Sequence, residues 1–79
     1  MYKIMLIDDD KETLQINKKY LESEHFQVFT YDNPLKAIKE LSCIIPDCIV
    51  LDVMMPALDG FAACKKMRTI TKAPIIFLT

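Results

Sequence analysis

Four short apolar runs alternate with three longer segments of helical character, and no other feature of the sequence constrains the fold as strongly. The runs are rich in Ile, Val and Phe and too short to form independent helices, so they favour β-strands. They read YKIMLI at 2–7, FQVFT at 26–30, CIVL at 48–51 and PIIFLT at 74–79. Because strands that alternate with helices are typical of βαβ units, the sequence predicts an α/β fold with a parallel sheet.

The three intervening segments carry the spacing and the start signals of amphipathic helices. Asn33 before Pro34 predicts a helix start with a capping side chain and Pro in the first turn. Asp59 before Gly60 predicts an N-cap for the third helix. The apolar residues of the segments are Leu14, Tyr20 and Leu21 in 11–24, Leu35, Ile38 and Leu41 in 34–42, and Phe61, Cys64 and Met67 in 60–68.

Composition and length indicate one small globular domain that spans residues 1–79. The chain is 52% hydrophobic and 27% charged with a formal net charge of -1, whereas disorder requires less hydrophobicity and more net charge. A nucleic-acid surface needs clustered basic residues, and we expect no direct nucleic-acid contact. The basic residues are scattered and predicted to lie on solvent-facing sides of helices: Lys18, Lys19, Lys65, Lys66 and Arg68.

The cysteine content and the hydropathy of the sequence predict a cytoplasmic protein. Cys43, Cys48 and Cys64 are odd in number and lack a C-x-x-C spacing, which favours reduced thiols. No apolar stretch approaches membrane-spanning length, and the N-terminus lacks a signal-peptide pattern. We therefore expect no membrane partner.

Acidic residues follow two of the predicted strands. Asp8, Asp9 and Asp10 come directly after the first strand and Asp52 closes the third. In open parallel α/β sheets ligands bind beyond the carboxyl ends of the strands, which in the flavodoxin-like order means between the first and third. Asp8, Asp9 and Asp52 should therefore converge. For Asp10 we favour the role of N-cap of the first helix, where an acidic residue is stabilising.

Convergence of like charges requires a compensating partner. Two unit charges 4 Å apart repel by roughly 4 kcal/mol at an effective dielectric constant of about 20. A hard divalent cation reverses that sign, and Mg²⁺ favours one or two carboxylates together with waters and phosphate oxygens. The pattern thus predicts a Mg²⁺ site in which the ion balances the charge of Asp52 and Asp52 serves as an oxygen nucleophile.

The sequence resembles the receiver domain of bacterial two-component response regulators. The resemblance rests on the acidic pair Asp8-Asp9 after an apolar strand, the motif DVMMPALDG from Asp52 to Gly60, and Thr79 closing IIFLT. It covers the whole chain and implies a CheY-like doubly wound parallel sheet with the strand order 2-1-3-4.

The resemblance also implies a role for each matching residue. Asp52 matches the phosphoacceptor, which a sensor histidine kinase phosphorylates to an acyl phosphate. Asp8, Asp9, Asp52 and the backbone carbonyl of Met54 match the ligands of Mg²⁺. Thr79 matches the hydroxyl that contacts the phosphoryl group and reorients on activation, although an ordinary β-branched strand residue is the alternative. The resemblance further implies a domain that would assist its own phosphotransfer without being a turnover enzyme.

The chain departs from the family pattern after its fourth strand. A receiver has five βα units, and the segment without a counterpart here carries a lysine that bridges to the phosphoryl group and an aromatic switch residue. We therefore expect a domain incomplete at its C-terminus, an output domain (commonly DNA-binding, for transcription regulation) outside this chain, and a homodimer through the apolar edge strand.

The sequence fits several rival functions less well. A haloacid dehalogenase-like phosphatase needs Thr or Val where DDDKE has Glu12, and a calcium loop needs Gly where Thr13 stands. Gly60 is the only glycine, which opposes a glycine-rich nucleotide loop. His25, in a predicted exposed loop, has no metal-site partner. The alternative left open is a receiver-like association module that is never phosphorylated.

Overall fold

The computed structural model describes residues 1–52 and 60–78 of the chain. Strands and helices alternate as the sequence predicts, and their boundaries lie within two residues of the predicted ones. The elements are β1 (Lys3–Ile7), α1 (Lys11–Ser23), β2 (Gln27–Tyr31), α2 (Pro34–Ile44), β3 (Cys48–Asp52), α3 (Gly60–Met67) and β4 (Ile75–Leu78).

The four strands form one parallel sheet in the order β2-β1-β3-β4, which confirms the predicted topology. Ile7, the last residue of β1, lies opposite Tyr31 of β2 and Leu51 of β3. Asp52 lies opposite Leu78 of β4. This register brings the carboxyl ends of all four strands to the same edge of the sheet.

Two of the predicted helix caps are observed. The Asp10 side chain accepts hydrogen bonds from the backbone N–H groups at the start of α1. The Asn33 side chain accepts from the backbone N–H of Leu35 at 2.8 Å, and Pro34 occupies the first turn of α2. Both side chains satisfy donors that a helix start leaves without an intrahelical partner. The third predicted cap, Asp59, lies outside the described residues.

The sheet is packed on both faces, as expected for parallel strands covered by crossover helices. Met5 and Ile7 of β1 point to one side, and Ile4 and Leu6 point to the other. The first side packs against buried residues of α2 and α3, which are Ala37, Leu41, Ala63 and Met67. The second side packs against Leu14 of α1.

Only some of the apolar residues on which the helix predictions rest are buried in the structure. Tyr20, Leu35 and Phe61 are 64%, 45% and 67% exposed. A strict spacing of three drifts around a helix that has 3.6 residues per turn. The buried positions of α2 and α3 instead follow the spacing i, i+3, i+7: Pro34, Ala37 and Leu41, then Gly60, Ala63 and Met67.

Most of the basic residues that were predicted to face solvent are exposed in the structure. Lys19, Lys65, Lys66 and Arg68 are exposed as predicted, as is His25, whereas Lys18 is partly buried. The cysteines are free thiols, with Cys43 exposed and Cys48 and Cys64 partly buried. In the described part of the chain no helix combines the length and the apolar character that crossing a bilayer requires.

Candidate metal centre

Three carboxylates meet at the carboxyl edge of the two central strands. Asp8 follows the last residue of β1, and Asp52 is the last residue of β3. One carboxylate oxygen from each of Asp8, Asp9 and Asp52 lies within 4.8 Å of the others. The predicted convergence of these side chains is confirmed, because neighbouring parallel strands end at the same edge.

The three carboxylates line an open cleft of about 410 Å³. Asp8 and Asp52 are partly buried, and Asp9 is exposed. The remaining lining residues are Asp10, Thr13 and Leu78. The cleft is therefore accessible to an ion or to a phosphoryl group, and residues at the ends of β1, β3 and β4 line it.

Asp8 is held at both its backbone and its side chain. Its N–H donates to the carbonyl oxygen of Tyr31 at 3.1 Å, which ties the exit of β1 to the end of β2. Its Oδ1 accepts from the backbone N–H of Asp10 at 3.0 Å. The orientation of this carboxylate is thus determined by the turn between β1 and α1.

Asp10 is committed to the start of α1. Its Oδ1 accepts from the backbone N–H groups of Glu12 at 3.0 Å and Thr13 at 3.4 Å. Its Oδ2 accepts from the Thr13 hydroxyl at 2.9 Å, and hydrogen bonding from Thr13 lowers the pKa of Asp10. The N-cap interpretation of Asp10 is confirmed, and both of its carboxylate oxygens already accept hydrogen bonds.

The electrostatics of the cluster favour a bound cation. Burial raises the pKa of Asp8 above its ordinary value of 3.8, the Asp10 N–H opposes this rise, and the Asp52 and Asp9 carboxylates raise it further. The ionised form of Asp8 is therefore less favoured in the folded protein than in a solvent-exposed aspartate. Three hard oxygen donors within 4.8 Å of one another are the ligand chemistry that Mg²⁺ and similar cations prefer. The donor set fits such an ion.

Two predicted site residues, Met54 and Thr79, lie outside the described residues. The structure does describe Leu78, which precedes Thr79 in the chain, lines the cleft and lies opposite Asp52 in the sheet. The predicted roles of Met54 and Thr79 stay predictions.

Sequence reasoning did not assign Thr13 to the site. Thr13 lines the cleft and contacts Asp10 through both its hydroxyl and its N–H. The available signal was its position three residues after an N-cap aspartate, where a side chain can reach back to the cap.

Comparisons with known proteins show the family of this chain. The sequence model of the response regulator receiver domain matches residues 4–79. The chain belongs to the response regulator receiver domain family. This receiver is 38% identical over 79 residues to the sensory transduction protein BceR of Halalkalibacterium halodurans, and it spans 34% of the length of that relative.

Solved structures of receivers share the fold of this receiver. A two-component response regulator from Clostridium difficile superposes with a TM-score of 0.93 at 32% identity, covering 98% of this chain and 64% of that one. The BeF3-activated N-terminal receiver domain of Klebsiella pneumoniae RstA gives a TM-score of 0.90 at 30% identity, covering 98% and 66%. The CheY-like, flavodoxin-like fold class is thereby confirmed.

Proposed function

We propose that this receiver accepts a phosphoryl group on Asp52 from a sensor histidine kinase, with Mg²⁺ held by the acidic cluster. The observation that carries the proposal is the meeting of Asp8, Asp9 and Asp52 within 4.8 Å at the carboxyl edge of β1 and β3. A helix cap or a solvated surface does not require three carboxylates in one cleft. A phosphoryl site that uses a cation gains from carboxylate oxygens gathered in one cleft, because they bind the cation.

In the proposed reaction a carboxylate oxygen of Asp52 attacks the phosphorus of a phosphohistidine. The new oxygen–phosphorus bond forms as the nitrogen–phosphorus bond breaks, and the imidazole nitrogen leaves with its electron pair. Asp8, Asp9 and Asp52, with the backbone carbonyl of Met54, would hold Mg²⁺, which supplies neutralisation of charge on the transferring oxygens. The hydroxyl of Thr79 would contact the transferred group.

The contribution of the described residues is positioning. Asp52 is fixed by its place in β3 between β1 and β4, and Asp8 is fixed by hydrogen bonds to Tyr31 and Asp10. Because strand pairing holds Asp52 and hydrogen bonds hold Asp8, we expect these carboxylates to need little rearrangement when a phosphodonor enters the open cleft. Phosphotransfer of this kind modifies the receiver once and is not enzymatic turnover.

The proposed partners follow from the family. The donor is the sensor histidine kinase, and the recipient of the signal is an output domain, commonly DNA-binding, that would regulate transcription in the cytoplasm. BceR is about three times as long as the stretch that this chain matches, since the chain spans 34% of it. Residues 1–79 would therefore belong to the receiver part of such a protein.

The test is incubation of this chain with a small phosphodonor such as acetyl phosphate and Mg²⁺, followed by intact-mass measurement. We expect the mass to rise by one phosphoryl group only when Mg²⁺ is present. Asp52→Asn should abolish the increase, and Asp32→Asn, a matched change outside the cleft, should retain it. Addition that survives Asp52→Asn would refute the assignment, and no addition to the natural chain would favour the association-module alternative.

A further inference from the structure

A continuous series of hydrogen bonds connects Thr13 of α1 to the Asp8 carboxylate. The Thr13 hydroxyl donates to Oδ2 of Asp10 at 2.9 Å. The backbone N–H of Asp10 donates to Oδ1 of Asp8 at 3.0 Å. Thr13 also lines the cleft that the acidic cluster occupies. We propose that Thr13 is a positioning residue for the metal site, acting through Asp10 on the orientation of Asp8.

The physical reason lies in the conformation of Asp10. Its backbone is extended, with φ -89° and ψ 104°, and this conformation aims its N–H at Asp8 while its side chain turns toward α1. The backbone N–H groups of Glu12 and Thr13 share one carboxylate oxygen of Asp10, and the Thr13 hydroxyl holds the other. With both oxygens held, Asp10 has little freedom to rotate.

The hydrogen bond from Asp10 limits the freedom of the Asp8 carboxylate. Because the Asp10 N–H holds Oδ1, rotation of the Asp8 carboxylate about its Cβ–Cγ bond is restricted. A carboxylate restricted in this way loses less conformational freedom when it or its water shell engages a cation. Loss of a partner that orients a ligand in this way typically weakens metal binding by about 10- to 100-fold.

A purely structural role for Thr13 makes a different prediction. If Thr13 only stabilised the start of α1, its loss would lower the melting temperature without changing the affinity of the folded protein for Mg²⁺. The start of α2 offers the matched control. Asn33 caps α2 through the N–H of Leu35 and is not among the residues that line the acidic cleft.

The experiment measures Mg²⁺ affinity by isothermal titration calorimetry, and the folded state by circular dichroism, for the natural chain and four variants. Thr13→Val removes the hydroxyl at nearly constant shape, and we expect about tenfold weaker binding, the low end of the range for such partners. Thr13→Ala should weaken binding alike and substitutes for Thr13→Val if that variant does not fold. Thr13→Ser restores the hydroxyl and should bind as the natural chain does. Asn33→Ala should lower the melting temperature and leave the affinity unchanged.

The inference rests on the proposed function, and the outcomes separate the two. If the natural chain binds no Mg²⁺, the metal site itself fails. If the natural chain binds Mg²⁺ and the Val and Ala variants bind it equally well, the positioning role of Thr13 is overturned while the metal site stands. If the affinity falls and Ser restores it, both are supported.

Discussion

The backbone N–H of Asp8 donates to the carbonyl oxygen of Tyr31, and the Tyr31 hydroxyl donates to Glu40 of α2 at 2.9 Å. The first bond ties the exit of β1 to the end of β2, and the second ties β2 to the helix that follows it. Asp8, the first residue of the acidic cluster, is therefore hydrogen-bonded to a residue of β2 that is itself hydrogen-bonded to α2. The Tyr31 hydroxyl offers a measurable test of the contact between β2 and α2.

Tyr31→Phe should lower the free energy of unfolding by about 1 kcal/mol, because it removes one partly buried hydrogen bond. Burial, and then Glu40, raises the pKa of Tyr31 from 10.0 to about 12. The stabilising contribution of the neutral hydroxyl is therefore present below pH 10.0 and is lost as the pH rises through about 12. Urea unfolding of both proteins over this range should show the stability difference shrinking with pH. A difference that grows with pH would contradict the assignment.

Asp8→Asn should raise the melting temperature of the metal-free protein near neutral pH. Burial is the chief cause that raises the folded-state pKa of Asp8 above 3.8. The contribution of Asp8 to the free energy of unfolding is therefore most favourable below pH 3.8 and is lost as the pH rises through the folded-state pKa. The gain from the Asn variant should thus be present near neutrality and vanish below pH 3.8. Asp9→Asn should act in the same direction, because it removes a neighbouring like charge. Thermal scans in a chelator at both pH values test this, and a lower melting temperature for Asp8→Asn near neutral pH would count against the repulsion.

Mg²⁺ should stabilise the natural chain by mass action, since it binds the folded cluster and not the unfolded chain. The gain is about 2.7 kcal/mol when free Mg²⁺ is a hundred times the dissociation constant. Asp9→Asn and Asp52→Asn should reduce this gain. Glu22→Gln removes the same charge from the exposed far end of α1 and should retain it. Melting temperatures in chelator and in millimolar Mg²⁺ provide the measurement, and an unchanged value for the natural chain would weaken the site assignment.

Ile45→Gly should stabilise the protein by about 1 kcal/mol, because a β-branched residue in the left-handed region is unfavourable by roughly that amount. Ile45 ends α2 with φ 53° and ψ 66°, and it is 70% exposed, so little burial is lost on its removal. Urea unfolding of the two proteins measures the difference. His25→Gly, at the other described non-glycine residue with positive φ, serves as a comparison with smaller expected gain, since His tolerates this region better. Destabilisation by Ile45→Gly would show that its side chain makes a contact of greater value than the strain.

Strand order and the place of the acidic residues were predictable because both follow from periodicity and from the geometry of parallel sheets. Knowing that Asp8 directly follows the first strand and that Asp52 closes the third was enough to predict that they converge. The burial of helix residues was less predictable. Ala37 and Ala63 are small enough to let α2 and α3 approach the sheet, and apolar spacing alone pointed instead to Leu35 and Phe61, which are exposed. The hydrogen bonds that connect Thr13 to Asp8 through Asp10 were not predictable either, because they depend on side-chain rotamers in a turn.

The apolar residues of β4 are poorly covered. Among the described strands β4 pairs with β3 alone, and its residues Ile76 and Leu78 are 51% and 40% exposed. An apolar edge strand with free backbone groups pairs readily with another chain, so we expect this chain to form homodimers or larger assemblies at tens of micromolar. Light scattering should give a mass above that of one chain. Ile76→Lys should lower that mass, whereas Ile16→Lys, at a 63% exposed position on α1, should not. A monomer mass for the natural chain would show that the edge of β4 does not associate, and an equal effect of both substitutions would indicate that general hydrophobicity, not this strand, drives assembly.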